Sequence, residues 1–296
     1  ASDVYKRQPL EVNSMAGILY LLPTIIAEDT LEASIPPLVV ERARQIRRFY
    51  VEAAKTARAY LKMLGHPLPI AELAIEEIGH EPDPAKLDSW LAPVLQGENA
   101  AIVSESGCPG IADPGALLVR RAHELGIRVV PLVGPSSLLL TLMASGLDGQ
   151  RFAFHGYLPI DEGERRAAIQ SFESVSAREE TSELFIETPY RNQGLLEALV
   201  ATLHPSTRLT VATDVTGAAE SIRTLRVDEW RALLEKDAVS LPQLPTVFAF
   251  LAATRPGYRA GVVKAEPSHS KRARPAHNQR TGTHSGKKPP KHRAPR

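Results

Sequence analysis

Residues Ser104–Gly115 read SESGCPGIADPG, and this stretch decides the fold class. It follows Ala100–Ser104, a short apolar run that reads as a buried strand, and precedes Ala116–Leu125, which has helical spacing. Three glycines and two prolines in twelve residues mark a turn whose backbone can adopt positive φ and approach a ligand closely. Asp113 and Pro114 stand where an N-cap and a first-turn residue would start the helix, and Gly126 stops it. A second copy of the pattern follows. Ile127–Leu132 reads as a strand, and Gly134-Pro135-Ser136-Ser137 turns the chain into a helix ending at Gly146. Strand, turn and helix repeated in this way imply a parallel sheet with helices on both faces.

Outward from this block, Gly17–Leu22 (GILYLL) reads as another buried strand and Ile46–Leu64 as a helix. The second half is mixed. Strands are expected at Arg151–Gly156, Glu183–Thr188, Arg208–Thr213, Ser221–Val227 and Thr246–Leu251. Helices are expected at Glu162–Arg178, Gln193–Leu203 and Asp228–Lys236. Gly146, Asp148 and Gly149 cluster at the midpoint, so the division is into residues 15–147 and 148–254, two α/β domains. Residues 1–14 carry no pattern and Met15 directly precedes the first strand, so they read as a non-native or disordered leader. Residues 255–296 are nearly free of large apolar side chains and read as a disordered basic tail.

Composition narrows the function. Aromatic residues make up only 5%, so the core must be aliphatic. No apolar run reaches the roughly 20 residues of a membrane helix, and no secretory signal is visible. Cys108 is the sole cysteine, which excludes an internal disulfide and a cysteine-based zinc cluster and fits a cytoplasmic protein. No metal-ligand spacing occurs, and His123 and His155 are isolated in sequence. The net charge of +1 hides an asymmetry. Lys264–Arg296 holds ten Lys or Arg against Glu266 alone, or +9, and the remainder has 25 bases against 33 acids, or −8. The tail reads either as a nucleic-acid arm or as a solvated extension.

Three turns offer chemistry. The Ser104–Gly115 loop is either a cofactor cradle or a tight connection, and it lacks the GxGxxG spacing of a dinucleotide site. Pro131–Ser137 offers two hydroxyls at a helix start, for a polar ligand or for simple capping. Glu187-Thr188-Pro189-Tyr190-Arg191 brings a carboxylate, a phenol and a guanidinium to a strand end, for substrate orientation or as a capped surface turn. Cys108 has no neighbouring base in sequence and reads as a packed small residue rather than a nucleophile.

In this order the turns resemble the tetrapyrrole-methylase superfamily, in particular its bacterial 16S ribosomal RNA ribose 2′-O-methyltransferase branch. The matching segments are Gly17–Thr24, Ile102–Gly115, Gly126–Leu147, Phe152–Pro159 and Leu184–Arg191, within a resemblance spanning about Gly17 to Leu251. The resemblance implies two α/β domains, a parallel sheet followed by a mixed one, with S-adenosylmethionine held between them. It implies cofactor contacts from Leu22 and Pro23, from Gly107, Cys108 and Ile111, from Ser136 and Ser137, from Glu187 and Thr188, and from Ala212. It also implies a homodimer. Glu187 and Glu105 are the candidate bases for a weakly acidic acceptor. The chain departs from that branch in three places. Thr24 is followed by Ile25-Ile26-Ala27-Glu28 rather than Pro-Ile-Gly-Asn. Glu52-Ala53-Ala54-Lys55-Thr56 stands for the Glu-Asp-Thr-Arg motif, keeping the Glu and Thr. Leu244-Pro245 replaces a Gly-Glu pair. This pattern marks a divergent sub-branch. The functions it leaves open are an RNA methyltransferase, a methyltransferase of a tetrapyrrole-like small molecule, and a non-catalytic cofactor-binding protein.

Overall fold

The structure, a computed structural model, describes residues 16–253. The expectations for the leader, for Met15 and for the basic tail lie outside the described residues. The first half runs β1 (Ile18–Leu22), α1 (Leu31–Ser34), α2 (Pro37–Arg44), β2 (Arg48–Val51), α3 (Ala54–Met63), β3 (Ala74–Glu77), α4 (Leu87–Leu95), β4 (Ala100–Val103), α5 (Ala116–Glu124), β5 (Arg128–Pro131) and α6 (Ser137–Ser145). The second runs β6 (Phe152–Tyr157), α7 (Glu162–Glu179), β7 (Ser182–Glu187), α8 (Asn192–Thr202), β8 (Arg208–Thr213), β9 (Ser221–Arg226), α9 (Val227–Glu235) and β10 (Thr246–Leu251).

Two five-stranded sheets form. The first has the order β3-β2-β4-β1-β5 and is parallel throughout. Its central strands are apolar on both faces, as a parallel sheet covered by helices requires. Alternation sorts them: Tyr20, Leu22, Phe49, Val51, Ala101 and Val103 pack on one side, with Ala57, Tyr60 and Leu61 of α3. Leu19, Tyr50, Ala100 and Ile102 pack on the other, with Trp90, Leu91 and Val94 of α4 and Leu118 and Ala122 of α5. Tyr50 is fully buried, its hydroxyl donates to the Trp90 carbonyl, and burial raises its pKa well above the ordinary tyrosine range.

The second sheet has the order β6-β7-β10-β8-β9, parallel between β6 and β7 and antiparallel elsewhere. One face packs Phe185, Leu209, Val211, Phe248 and Phe250 beneath α7, α8 and α9, where Trp230 Nε1 donates to the Leu209 carbonyl at 2.8 Å. The other face, with Leu184, Ala212, Val247 and Ala249, is covered by Leu138 and Leu142 of α6. The Ser145 carbonyl accepts the Thr224 hydroxyl of β9 at 2.8 Å. Helix α6 thus follows the last strand of the first sheet but packs on the second. Among the described residues, no helix is long and apolar enough to cross a membrane.

Several sequence expectations change. The Ile46–Leu64 helix is instead β2 and α3, because Phe49-Tyr50-Val51 are wholly buried sheet residues. The Asp113 side chain does not cap α5, whose N-cap residue is Gly115. Asp113 Oδ1 accepts from the backbone amides of Gly110 at 3.2 Å and Gly115 at 2.8 Å, bracing the loop itself. His155 is not isolated in space. Its Nε2 lies 2.5 Å from Oε2 of the fully buried Glu183, and its ring stacks on Phe172.

Candidate functional site

Strands β4, β1 and β5 are neighbours, so their carboxyl ends deliver three consecutive loops to one place, the location where parallel sheets bind ligands. Those loops are locked together. The Gly107 carbonyl accepts from the Thr24 amide at 2.9 Å and from the Ser104 hydroxyl at 2.7 Å. Gly107 has φ +72°, and a Cβ there would sit 3.1 Å from the Pro135 carbonyl oxygen and 3.2 Å from the Ile26 side chain. Gly134 packs so closely on the Pro23 ring that a Cβ would meet it at 2.3 Å. Cys108 points its thiol at the Pro135 carbonyl, 3.3 Å away, and burial raises its pKa. It packs between loops and is not activated.

Beyond these loops lies a cavity of about 400 Å³, a size typical of small-molecule sites. The first half contributes Ile26, Glu52, His80, the 105–108 and 111–113 segments, Ser136 and Ser137. Leu138 of α6, together with Phe154, Tyr157, Ile186, Glu187, Thr188 and Val247 from the second sheet, closes the opposite side. Of the sequence candidates, Glu105, Gly107, Cys108, Ile111, Ser136, Ser137, Glu187 and Thr188 line it together. Leu22, Pro23 and Ala212 do not line it. Leu22 and Ala212 are fully buried, and Pro23 stands behind Gly134 with its carbonyl accepting from the Tyr60 hydroxyl at 2.7 Å. These three support the wall rather than form its surface.

The two serine hydroxyls do not cap α6, since the N-cap Ser136 makes no side-chain capping bond. Neither hydroxyl has a partner among the described residues, and both serines line the cavity. Glu187 is held tightly. Its Oε1 accepts from the Thr188 amide at 2.7 Å, and the Arg191 guanidinium lies 3.1 Å from Oε2 without hydrogen-bonding geometry. A carboxylate so engaged, and only 6% exposed, suits orientation better than proton removal. Glu105 is exposed, with one oxygen taking the Thr56 hydroxyl.

The lining has a definite charge. Among the described residues, four carboxylates line the cavity, those of Glu52, Glu105, Asp113 and Glu187, and no Lys or Arg does. Glu52 follows β2, and its pKa is raised, chiefly by burial, then by Asp113 and Glu105, with His80 opposing. Such a wall repels phosphates and favours a cation. The apolar side chains Ile26, Leu138, Ile186, Val215 and Val247 supply a surface for an uncharged ring system. Among the described residues, no cluster of His, Cys, Asp or Glu could hold a metal ion.

Glu52 entered the sequence reading only as the retained Glu of a diverged motif, with no site role, and His80 did not enter it at all. Their position depends on strand pairing. With β2 read as helix, nothing placed Glu52 at a strand end, and the edge strand β3, half polar, gave no periodic signal.

No model of a known protein family matches the chain. Curated relatives do. The chain is 31% identical over 231 residues to the ribosomal RNA small subunit methyltransferase I of Escherichia coli O157:H7, covering 78% of this chain and 77% of the relative. It is 32% identical over 219 residues to the protein of the same name from Synechocystis, covering 74% and 72%. Among solved structures it is similar in fold to diphthine synthase, with TM-score 0.54 and 14% identity over 80% of this chain and 90% of that one. It is also similar to the methyltransferase CobJ, with TM-score 0.51 and 17% identity over 81% and 96%. A two-sheet fold, a cation-accepting cavity at the strand ends and relatives of this identity and coverage agree, and the chain belongs to the ribosomal RNA small subunit methyltransferase I family, as an S-adenosylmethionine-dependent methyltransferase.

Proposed function

We propose that this chain methylates ribosomal RNA of the small ribosomal subunit, at a ribose 2′-hydroxyl. The observation that carries the reading is the relationship to the E. coli and Synechocystis proteins over 78% and 74% of this chain. The cavity supports the cofactor side of it. S-adenosylmethionine pairs an apolar adenosine with a sulfonium and an ammonium, and the cavity pairs aliphatic walls with carboxylates and, among the described residues, has no Lys or Arg in its lining. Ser136, Ser137, Thr188 and the 107–112 backbone would hold its polar groups, Glu187 would be fixed near its amine by Arg191, and Glu105 and Asp113 would face its positive charge. When bound, the cofactor supplies an activated methyl group for in-line displacement. The protein's part is alignment and exclusion of water, worth about 7–11 kcal/mol where reactants are well oriented.

The acceptor enters from the rim, because a folded RNA cannot occupy a cavity of this size. The carboxylate-rich wall gives RNA phosphates no counter-charge, so affinity has to come from elsewhere on the chain. The +9 segment Lys264–Arg296 is our candidate for that role. The protein acts in the cytoplasm, where ribosomes are assembled, and as a homodimer. Leu139 and Met143, one turn apart on α6 and 48% and 79% exposed, support the self-association.

The test uses methyl-labelled S-adenosylmethionine with the full chain and with a chain ending at Arg255, in a cell extract separated into RNA and small-molecule fractions. The reading expects label in RNA that falls on tail removal and falls further as salt rises. Label confined to small molecules would contradict the RNA reading and favour a tetrapyrrole-like acceptor. Binding without transfer to any fraction would mark the chain as non-catalytic.

A further inference from the structure

Strands β2 and β3 bring together two residues far apart in the chain. Val51 pairs with Glu77, and the Ile78 amide continues the pairing by donating to the Val51 carbonyl at 2.8 Å. Gly79, at φ +68°, then turns the backbone sharply. The turn lays His80 over Glu52, with Nδ1 2.7 Å from Glu52 Oε1. Both line the cavity that holds the cofactor loops. Their environments differ: the Glu52 side chain is 15% exposed and the His80 side chain 87%. His80 Nε2 has no partner among the described residues. Glu52 itself is faced by Glu105 and Asp113 from the loop after β4, and Thr56 of α3 donates to Glu105. Among the described residues, the other titratable groups lining the cavity are Cys108, Tyr157 and Glu187.

A solvent-facing imidazole whose Nδ1 stands 2.7 Å from a largely buried carboxylate, as an ion-pair contact without hydrogen-bonding geometry, can accept a proton at Nε2 and leave the resulting cation beside an anion. The geometry points to His80 as the catalytic base that removes the proton from the acceptor hydroxyl, with Glu52 as its positioning residue. The inference rests on the reading that the acceptor is an RNA hydroxyl. As the acceptor oxygen forms its bond to the methyl carbon, the bond from that carbon to sulfur breaks. The electron pair of the broken bond stays on sulfur, leaving a neutral thioether. The acceptor proton passes to His80 Nε2, where the imidazolium is stabilised by Glu52, and then leaves to solvent from the exposed ring. Glu187 and Glu105 are poorer candidates. The first is held by Thr188 and Arg191, and the second accepts from Thr56. His80 stands at the rim, where a macromolecular hydroxyl arrives, rather than at the base of the cavity.

The test compares the full chain with His80→Gln, His80→Ala and Glu52→Gln. Methyl transfer to small ribosomal subunits lacking the relevant modification is followed across pH, and cofactor affinity is read separately by equilibrium dialysis. For the wild type, the rate should rise with pH along an acid limb and level off. His80→Gln should bind cofactor within about twofold of wild type, lose about 100-fold or more in rate, and lose the acid limb. Added imidazole should restore part of the rate of His80→Ala. Glu52→Gln should lose rate by a smaller factor than His80→Gln at cofactor affinity within about twofold of wild type and, unlike His80→Ala, should gain nothing from added imidazole. An active wild type matched by His80→Gln in rate and pH profile overturns the base assignment and leaves the RNA reading standing. A wild type that leaves RNA unlabelled overturns both.

Discussion

Replacing Gly134 with alanine tests the packing on which the cofactor cradle depends. The new Cβ would lie 2.3 Å from both Cβ and Cγ of Pro23, whereas real Cβ contacts stay above 3.0 Å. The two loops must therefore separate by at least 0.7 Å. The proline ring cannot rotate away, and its carbonyl is tied to the buried Tyr60 hydroxyl at 2.7 Å. Overpacking of this kind costs about 1–3 kcal/mol, and disturbing the tyrosine hydrogen bond adds about 1 kcal/mol. The expected destabilisation is about 2–4 kcal/mol, read as a lowered urea midpoint at unchanged slope. Cofactor affinity should fall as well, since the same displacement moves Pro135 away from Gly107 and Cys108. Pro23→Gly supplies the control, because it removes both clashing atoms and leaves the nearest remaining contact at an ordinary 3.7 Å. The double variant should then be more stable than the sum of the two single losses, with a coupling of at least about 1 kcal/mol, well above the few tenths seen for independent sites. Gly134→Ala unfolding within about 0.5 kcal/mol of wild type, with unchanged cofactor affinity, would refute the reasoning.

Three further outcomes are expected. Asp113→Ala removes the acceptor of the Gly110 and Gly115 amides and should cost about 1–2 kcal/mol while weakening cofactor binding, as urea unfolding and dialysis would show. Glu52 has a raised pKa in the fold, so its ionisation works against folding; wild-type stability is favoured below the usual 4.5 and declines as pH rises through the folded-state value. Glu52→Gln should accordingly be more stable than wild type at pH 7, with the advantage vanishing below about pH 4.5, and a constant difference across pH would contradict this. Burial raises the Cys108 pKa, so alkylation should be displaced to higher pH than for a free thiol and slowed by S-adenosylhomocysteine, and a rate insensitive to that ligand would place the cavity's occupant elsewhere.

Legibility in the sequence followed the kind of signal each element carries. Arg208–Thr213 and Thr246–Leu251 read as strands and are β8 and β10, because both are short apolar runs bounded by polar turns. Gly146 read as a helix stop and caps α6 at φ +70°. Elements without a period were lost. The edge strand β3 reads Ala-Ile-Glu-Glu, α2 has Pro36 as its N-cap and Pro37 as its first residue, and α4 contains Pro93. The site divided on the same lines. Loops rich in Gly and Pro announced themselves, and Gly107 needs its freedom because its φ is +72° and a Cβ would press on the Pro135 carbonyl and the Ile26 side chain at 3.1 and 3.2 Å. The meeting of Glu52, known from its motif alone, with His80 stayed hidden because it is set by the β2–β3 register and the turn at Gly79, neither of which a local pattern encodes.

The central claim is methyl transfer to a ribose hydroxyl of small-subunit RNA, and methylation at that oxygen leaves a chemical mark. Alkaline cleavage of RNA requires a free 2′-hydroxyl, so a methylated position survives as an uncut dinucleotide. Small ribosomal subunits labelled by the full chain from methyl-labelled S-adenosylmethionine are therefore hydrolysed in alkali and the products separated. The account predicts label in an alkali-resistant dinucleotide. Label in mononucleotides, or none in RNA at all, would contradict it.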